Sequence, residues 1–242
     1  MLLQRLAEMS GVFTFFASGQ ERPLAHHKSR RQPHAVYAGA ALSPVFCNLR
    51  TATNAGDKQG VLDEDILDMI GDKLFELAIE DVPDLRYVAG IPNAGRPIVE
   101  ALVLAAGRQG YQIGPVPFDK CEDDSGRLFV CRAPEAISLI QAVFDDVVTV
   151  ADVKVRFLKT LPCKPPLFVL IDRQEGGMEI LEAMGYEVRS AFGLDDVIEA
   201  CLENGRIDLE TAERVQSYAF MRRQLIRKHM KEIVADLNGE FA

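Results

Sequence analysis

No stretch of about 18 uncharged apolar residues occurs in this 242-residue chain, so no transmembrane helix is expected. The first nine residues have apolar side chains at 2, 3 and 6. That run is too short and too interrupted for a signal peptide, and it reads as a short amphipathic helix. Cysteine is sparse and unpaired in pattern. Cys47, Cys121, Cys131, Cys163 and Cys201 are odd in number and form no C-x-x-C spacing, which argues against a disulfide framework and against a zinc knuckle. A reducing cytoplasm is the expected setting. Cations are also in deficit: 27 Lys and Arg stand against 36 Asp and Glu, for a net charge of −9. General nucleic-acid binding needs basic surface to displace counterions, so it is not expected. An anionic small ligand would need its own basic pocket or a metal.

What is present is enough apolar material for a core, 48% of residues, in a length that suits one domain or one domain with a small appendage. Composition shifts sharply at 20–41, where Arg22 to His34 holds His26, His27 and His34 among four cations with no apolar period. This reads as a surface loop. The three histidines invite a metal reading, but no acid or cysteine lies at ligand spacing, so none is expected there. From Val61 to Glu80 the apolar spacing is helical, and Asp63, Glu64 and Asp65 suit the positive end of the helix dipole. Then come a β-rich run at 86–91, a glycine turn, and a helix over 97–108.

The alternation continues. A buried strand over 139–144 is expected to end at Asp145–Asp146, followed by a helix over 150–161. Leu167–Ile171 is the clearest parallel-strand run, and helices are expected over 177–184, 195–203 and 208–236 around a strand at 186–192. The cations at 222, 223, 227, 228 and 231 read as a solvated helix face. Strands alternating with helices predict an α/β fold with a parallel sheet, in which ligands sit beyond the carboxyl ends of the strands.

Three strand ends carry chemistry. Gly90-Ile-Pro-Asn-Ala-Gly95 can present backbone N–H groups to phosphate, or serve as a plain βα turn. Asp145-Asp146 followed by Thr149 could hold ribose hydroxyls and hydrated Mg2+, or form an acid-rich helix start. Asp172-Arg-Gln-Glu-Gly-Gly177 is the most specific string, because Arg173 at a strand end can grip a carboxylate by paired hydrogen bonds.

At these residues the sequence resembles the type I phosphoribosyltransferases, and within them the orotate phosphoribosyltransferase family. Gly11-Val-Phe-Thr14 with Ser18-Gly19 resembles the family's early Gly-x-Phe-Thr and Ser-Gly stretch. Ser43-Pro-Val-Phe-Cys-Asn-Leu-Arg50 is similar to its Ser-Pro-x-Tyr-x-Asp-Leu-Arg. Val88–Pro97 resembles its pyrophosphate loop, and both 172–177 and the Gly205–Thr211 tail resemble its orotate branch. The resemblance implies a parallel sheet flanked by helices under a small N-terminal hood. The hood would span residues 1–60, with the basic insertion at 20–41, and the core 61–242. It implies phosphoribosyl transfer from phosphoribosyl pyrophosphate (PRPP) to orotate, giving orotidine monophosphate and pyrophosphate, with Mg2+. Asp145 and Asp146 would hold the ribose hydroxyls and the metal. Thr149 and Arg173 would contact orotate, Ala94 and Gly95 would line the pyrophosphate loop, and Lys120 would contact pyrophosphate. A homodimer is implied, because the family's catalytic loop acts across the dimer. A catalytically impaired relative, serving as a nucleotide or PRPP sensor or as partner of an active paralogue, is the alternative.

The departures from the pattern are specific. Where the family has Asp-Asp-x-x-Thr-Thr/Ala-Gly-Thr/Ser, this chain has Asp145-Asp-Val-Val-Thr-Val-Ala-Asp152. A carboxylate ~4 Å from a phosphate charge costs roughly 4 kcal/mol at an effective dielectric near 20. The family's Arg-Lys-Glu-x-Lys-x-His-Gly loop is here Asp119-Lys-Cys-Glu-Asp-Asp-Ser-Gly126, which keeps Lys120 but puts Asp119, Asp123 and Ser125 in place of two cations and a histidine. Ala17 or Tyr37 stands where the family has an early lysine. The orotate-side features are therefore better kept than the phosphoribosyl side.

Overall fold

The structure, a computed structural model, describes residues 1–17, 22–23, 42–51, 60–123, 126–148 and 152–239. Helix α1 (Leu2–Glu8) buries Leu2, Leu6 and Ala7. Strand β1 (Phe13–Phe15) follows, and β2 (Arg22–Pro23) pairs antiparallel with β3 (Leu42–Ser43). The chain thus leaves and re-enters at the two ends of the basic insertion side by side. Residues 24–41, with the three histidines and Tyr37, lie outside the described residues, as do Ser18 and Gly19. Strand β4 (Val45–Cys47) pairs antiparallel with β1, Phe13 opposite Cys47.

Helix α2 (Glu64–Asp81) begins where the acids predict. The Asp63 carboxylate accepts the Ile66 N–H at 2.9 Å, and Glu64 and Asp65 fill the first turn. Next come β5 (Tyr87–Gly90), α3 (Gly95–Arg108), β6 (Gly114–Pro115), the antiparallel hairpin β7 (Phe118–Asp123) and β8 (Gly126–Cys131), and β9 (Ala142–Val148). The rest is α4 (Asp152–Leu158), β10 (Leu167–Asp172), α5 (Gly177–Ala183), β11 (Val188–Gly193), α6 (Leu194–Glu203) and the long α7 (Leu209–Gly239).

The five-stranded sheet is parallel throughout, in the order β11-β10-β9-β5-β6. Both faces are covered, which is why β10 has no exposed residue. Phe144, Phe168 and Leu170 face the cluster with α2 and α3, while Val143, Leu167 and Val169 face the cluster with α4, α5 and α7. The Phe144 and Phe168 rings stack at 5.4 Å across β9 and β10. Phe157 of α4 receives Phe118 and Phe129 edge-on at 4.8 and 5.3 Å, so the hairpin is rooted on that helix.

Three sequence expectations need correction. The strand expected over 139–144 is β9, which starts at Ala142 and runs through both acids to Val148. Residues Pro134–Leu139 form a 3-10 turn instead, with Leu139 exposed. The ladder continues because β10 offers partners as far as Asp172 opposite Val148. The following helix is shorter than 150–161, spanning Asp152–Leu158. Arg222 is not on a solvated face but buried, because Val215, Ala219, Arg222 and Ile226 fall on the inward stripe of α7. Among the described residues no helix is long and apolar enough to cross a membrane.

Candidate functional site

Strands β5 and β9 are sheet neighbours, yet the chain goes from β5 outward to β6 before returning to β9 on the other side. That reversal is the topological switch point, where parallel sheets leave a crevice at the carboxyl ends of their strands. The three chemically marked segments of the sequence end β5, β9 and β10, so the fold gathers them along one sheet edge.

After β5 the turn is drawn tight. The Ile91 N–H donates to the Phe144 carbonyl at 2.9 Å and the Gly95 N–H to the Ile91 carbonyl at 2.8 Å. The Pro92–Asn93 peptide is cis. A Cβ on Gly95 would lie 2.4 Å from the Phe144 carbonyl oxygen, and one on Gly90 would lie 2.4 Å from the Gly95 carbonyl oxygen. The glycines therefore permit backbone-to-backbone packing of turn on strand. Ala94 is half-buried at the cap of α3.

Within the carboxyl-terminal half of β9 the acid pair is held from several sides. Asp145 Oδ1 accepts the Asp146 N–H at 2.9 Å, and Asp146 Oδ1 accepts the Val147 N–H at 2.7 Å. Asp145 Oδ2 is 2.6 Å from Lys154 Nζ, in an ion pair whose side chains are 13% (lysine) and 4% (aspartate) exposed. Loss of water and the adjacent Asp145 charge push Asp146 up to about 7, against the pull of Lys154, the Val147 N–H and Arg50. Thr149 lies outside the described residues, as do Val150 and Ala151.

After β10 the Arg173 side chain turns inward. It is 3% exposed and forms an ion pair with Glu175, itself 0% exposed. The guanidinium also donates to Ser43 Oγ and, at 3.1 Å, to the Val45 carbonyl, so the core grips the N-terminal ribbon at this point. Burial pushes the Cys47 thiol up to about 12, against the nearby Arg173 charge, and burial with the Glu175 charge takes Tyr218 of α7 to about 12. Neither ionises near neutrality. Gly176 is left-handed at φ 101°, and its missing Cβ leaves room for Ile226 of α7.

Asp172 ends β10 with its Oδ1 accepting the Gln174 N–H at 2.8 Å. Burial pushes this carboxyl up to about 6, against that hydrogen bond, from an ordinary value of 3.8. A raised folded-state value means the native protein holds the proton longer than the unfolded chain. Ionisation of Asp172 thus costs stability as pH rises through roughly 4 to 6, with the full cost above that window. Asp172→Asn is expected to match the wild type near pH 4 and to exceed it by about 3 kcal/mol at pH 8. Urea midpoints at the two pH values check this, and an equal difference at both would refute it.

Lys120 is half-exposed on β7, opposite Phe129. Asp119 beside it is ion-paired with Arg132, across the root of the hairpin. The segment matched by sequence to a catalytic loop is thus the arm of a β-hairpin. Three engaged charges were not assigned from sequence: Lys154, Glu175 and Arg132. Lys154 sits between Val153 and Val155, and that unbroken apolar flank was the available signal.

As they stand, the carboxylates do not fit a directly bound Mg2+. Three of their four oxygens are engaged by Lys154 or by backbone N–H groups. Among the described residues no group of three or more His, Cys, Asp or Glu is arranged to hold a metal.

No family model matches the chain. Among solved structures it is similar to the UMP synthase of Leishmania donovani, with TM-score 0.60 and 17% identity over 91% of this chain. The chain spans 42% of that protein's length. It is also similar to orotate phosphoribosyltransferase from Francisella tularensis, with TM-score 0.56 and 19% identity over 90% of this chain and 97% of the other. The corresponding enzyme of Aeropyrum pernix gives TM-score 0.53 and 20% identity over 86% of this chain and 100% of the other. The chain has the type I phosphoribosyltransferase fold. At these identities the likeness is one of fold. Within that fold, the switch point lies between β5 and β9, beside the β5 turn and the β9 acid pair.

Proposed function

We propose that this chain takes a phosphoribosyl ligand at the switch point, with PRPP and orotate, or orotidine monophosphate, as the ligand pair. The observation that supports this best is the position of Asp145–Asp146 at the carboxyl end of β9, between the β5 turn and the 172–177 string. In this reading the acids hold ribose hydroxyls, the turn at Ala94–Gly95 meets pyrophosphate with Lys120, and Thr149 contacts the orotate. Arg173, enclosed against Glu175, Ser43 and the Val45 carbonyl, braces the strand end behind the site in place of the orotate contact the resemblance implied. Transfer breaks the bond from the ribose carbon to pyrophosphate and forms one to the pyrimidine nitrogen, whose N–H proton is released to water or to the departing pyrophosphate. The protein's part is to position both ligands and to balance the charge of the leaving pyrophosphate. A second copy of the chain supplying its hairpin across a dimer belongs to the same reading.

A second reading, binding without turnover, is favoured by one observation. The hairpin that would meet pyrophosphate carries Asp119, with Arg132 already paired to it, where the reaction calls for cations. Calorimetric titration with PRPP, and separately with orotidine monophosphate, separates the two readings when followed by a product assay with and without Mg2+. Turnover supports transfer and refutes the second reading. Binding without turnover does the reverse, and binding of neither ligand overturns both.

A further inference from the structure

The Lys154 ammonium is an unusual neighbour for an acid pair beside a switch point. It rises from the first turn of α4 and is 13% exposed, and its Nζ stands 2.6 Å from Asp145 Oδ2. Its neighbours Val155, Phe157 and Leu158 are buried on the apolar face of α4. A lysine is taken out of water only where an opposite charge compensates it. Here the compensating charge belongs to the acid pair in the carboxyl-terminal half of β9, beside the switch point. Arg50 adds a second cation whose charge acts on Asp146.

We infer that Lys154 is the built-in counter-ion of the Asp145–Asp146 pair and stands where a divalent cation would otherwise sit. The site then recognises the ribose and phosphate of its ligand without a metal. The geometry carries this directly. A cation bridging the two carboxylates would need Asp145 Oδ2, and that oxygen is committed to an ammonium whose charge repels a metal ion at the same place. The lysine also leaves the acid pair closer to neutral, which lowers the repulsion between the carboxylates and an incoming phosphate. The inference rests on the reading of this acid pair as ligand-facing.

The test has two arms. In the first, Mn2+ alone is titrated and the free ion is followed by its paramagnetic resonance. Wild type is expected to show no saturable site that depends on Asp145. Lys154→Gln is expected to gain one, and Lys154→Gln with Asp145→Asn to lose it again. A wild-type Mn2+ site abolished by Asp145→Asn overturns the inference, as does a folded Lys154→Gln protein that gains no Mn2+ binding. If the glutamine variant does not fold, wild type against Asp145→Asn decides alone: equal Mn2+ behaviour upholds the inference and a lost site overturns it. In the second arm, ribose 5-phosphate is the probe. Wild-type affinity is expected to be the same in EDTA and in Mg2+, whereas Lys154→Gln loses at least about tenfold in EDTA and recovers in Mg2+. A wild-type affinity that requires Mg2+ overturns the inference. Failure of ribose 5-phosphate to bind wild type under either condition counts against the phosphoribosyl reading, and the Mn2+ arm still decides the role of Lys154.

Discussion

Glu175→Gln is expected to lower the free energy of unfolding by roughly 3–5 kcal/mol, because it leaves the Arg173 guanidinium charged and enclosed without its carboxylate. Glu175 is 0% exposed and Arg173 3%, so water cannot replace the lost partner without opening the structure. Arg173 also grips Ser43 and the Val45 carbonyl, so the damage spreads to the β1–β4 ribbon. For a chain of this size the loss corresponds to a fall in Tm of about 6–20 °C. Replacing both partners, Arg173→Met with Glu175→Leu, is expected to restore most of the stability, since desolvating the pair is itself costly. Thermal unfolding of the single and double variants gives the answer. A Glu175→Gln protein within about 1 kcal/mol of wild type would mean the pair is not isolated from solvent as described.

Gly95→Ala is expected to be nearly as damaging, for a steric reason. The new Cβ would meet the Phe144 carbonyl oxygen at 2.4 Å and the Gly90 Cα at 3.1 Å, and all of these are backbone atoms fixed by the sheet. Overpacking costs typically 1–3 kcal/mol, and with no side chain able to yield, the upper end, about 3 kcal/mol, is expected here. Relief can come only by pulling the turn off β9, which would break the Ile91 N–H bond to the Phe144 carbonyl. Ligand binding at the switch point should therefore weaken along with stability. Gly107→Ala, near the end of the same helix, is the control. It meets nothing within 4 Å, and it is expected to raise helix stability by up to about 1 kcal/mol. Equal effects at the two glycines would refute the packing account.

The sheet was legible because parallel strands announce themselves as unbroken apolar runs, and Leu167–Ile171 has no other use. The acids that cap α2 and the glycines that bound the β5 turn were legible for similar local reasons. The limits of β9 were not. Leu139 and Ile140 are apolar, yet the ladder that defines the strand is set by β10, a partner whose register no local pattern reveals. Arg222 was misplaced by its charge, although the period of Val215, Ala219, Ile226 and Ile233 points it inward. Within the site, the positions of Asp145, Asp146 and Arg173 could be read, but their partners could not. Lys154 lies nine residues from Asp145 along the chain, and Ser43 lies 130 residues from Arg173. Spacing along the chain carries no record of such meetings.

Those separations have a consequence for how the chain acquires its shape. Arg173 joins Ser43 across 130 residues, and Arg214 of α7 donates to the Phe16 carbonyl across 198. Arg206 reaches the Glu8 carbonyl over the same distance of 198 residues. The described residues among the first fifty are therefore tied to the last third of the chain. During synthesis from the N-terminus, the opening ribbon can pack early against α2, but its ties to Arg173 and to α7 form only after β10 and then α7 have left the ribosome. Contacts of such long reach are entropically costly to close and form late, which slows folding. The β5–α3–β9 unit, built from nearer neighbours, is the part that can organise first, and the ribbon's ties to Arg173 and α7 close as a final step.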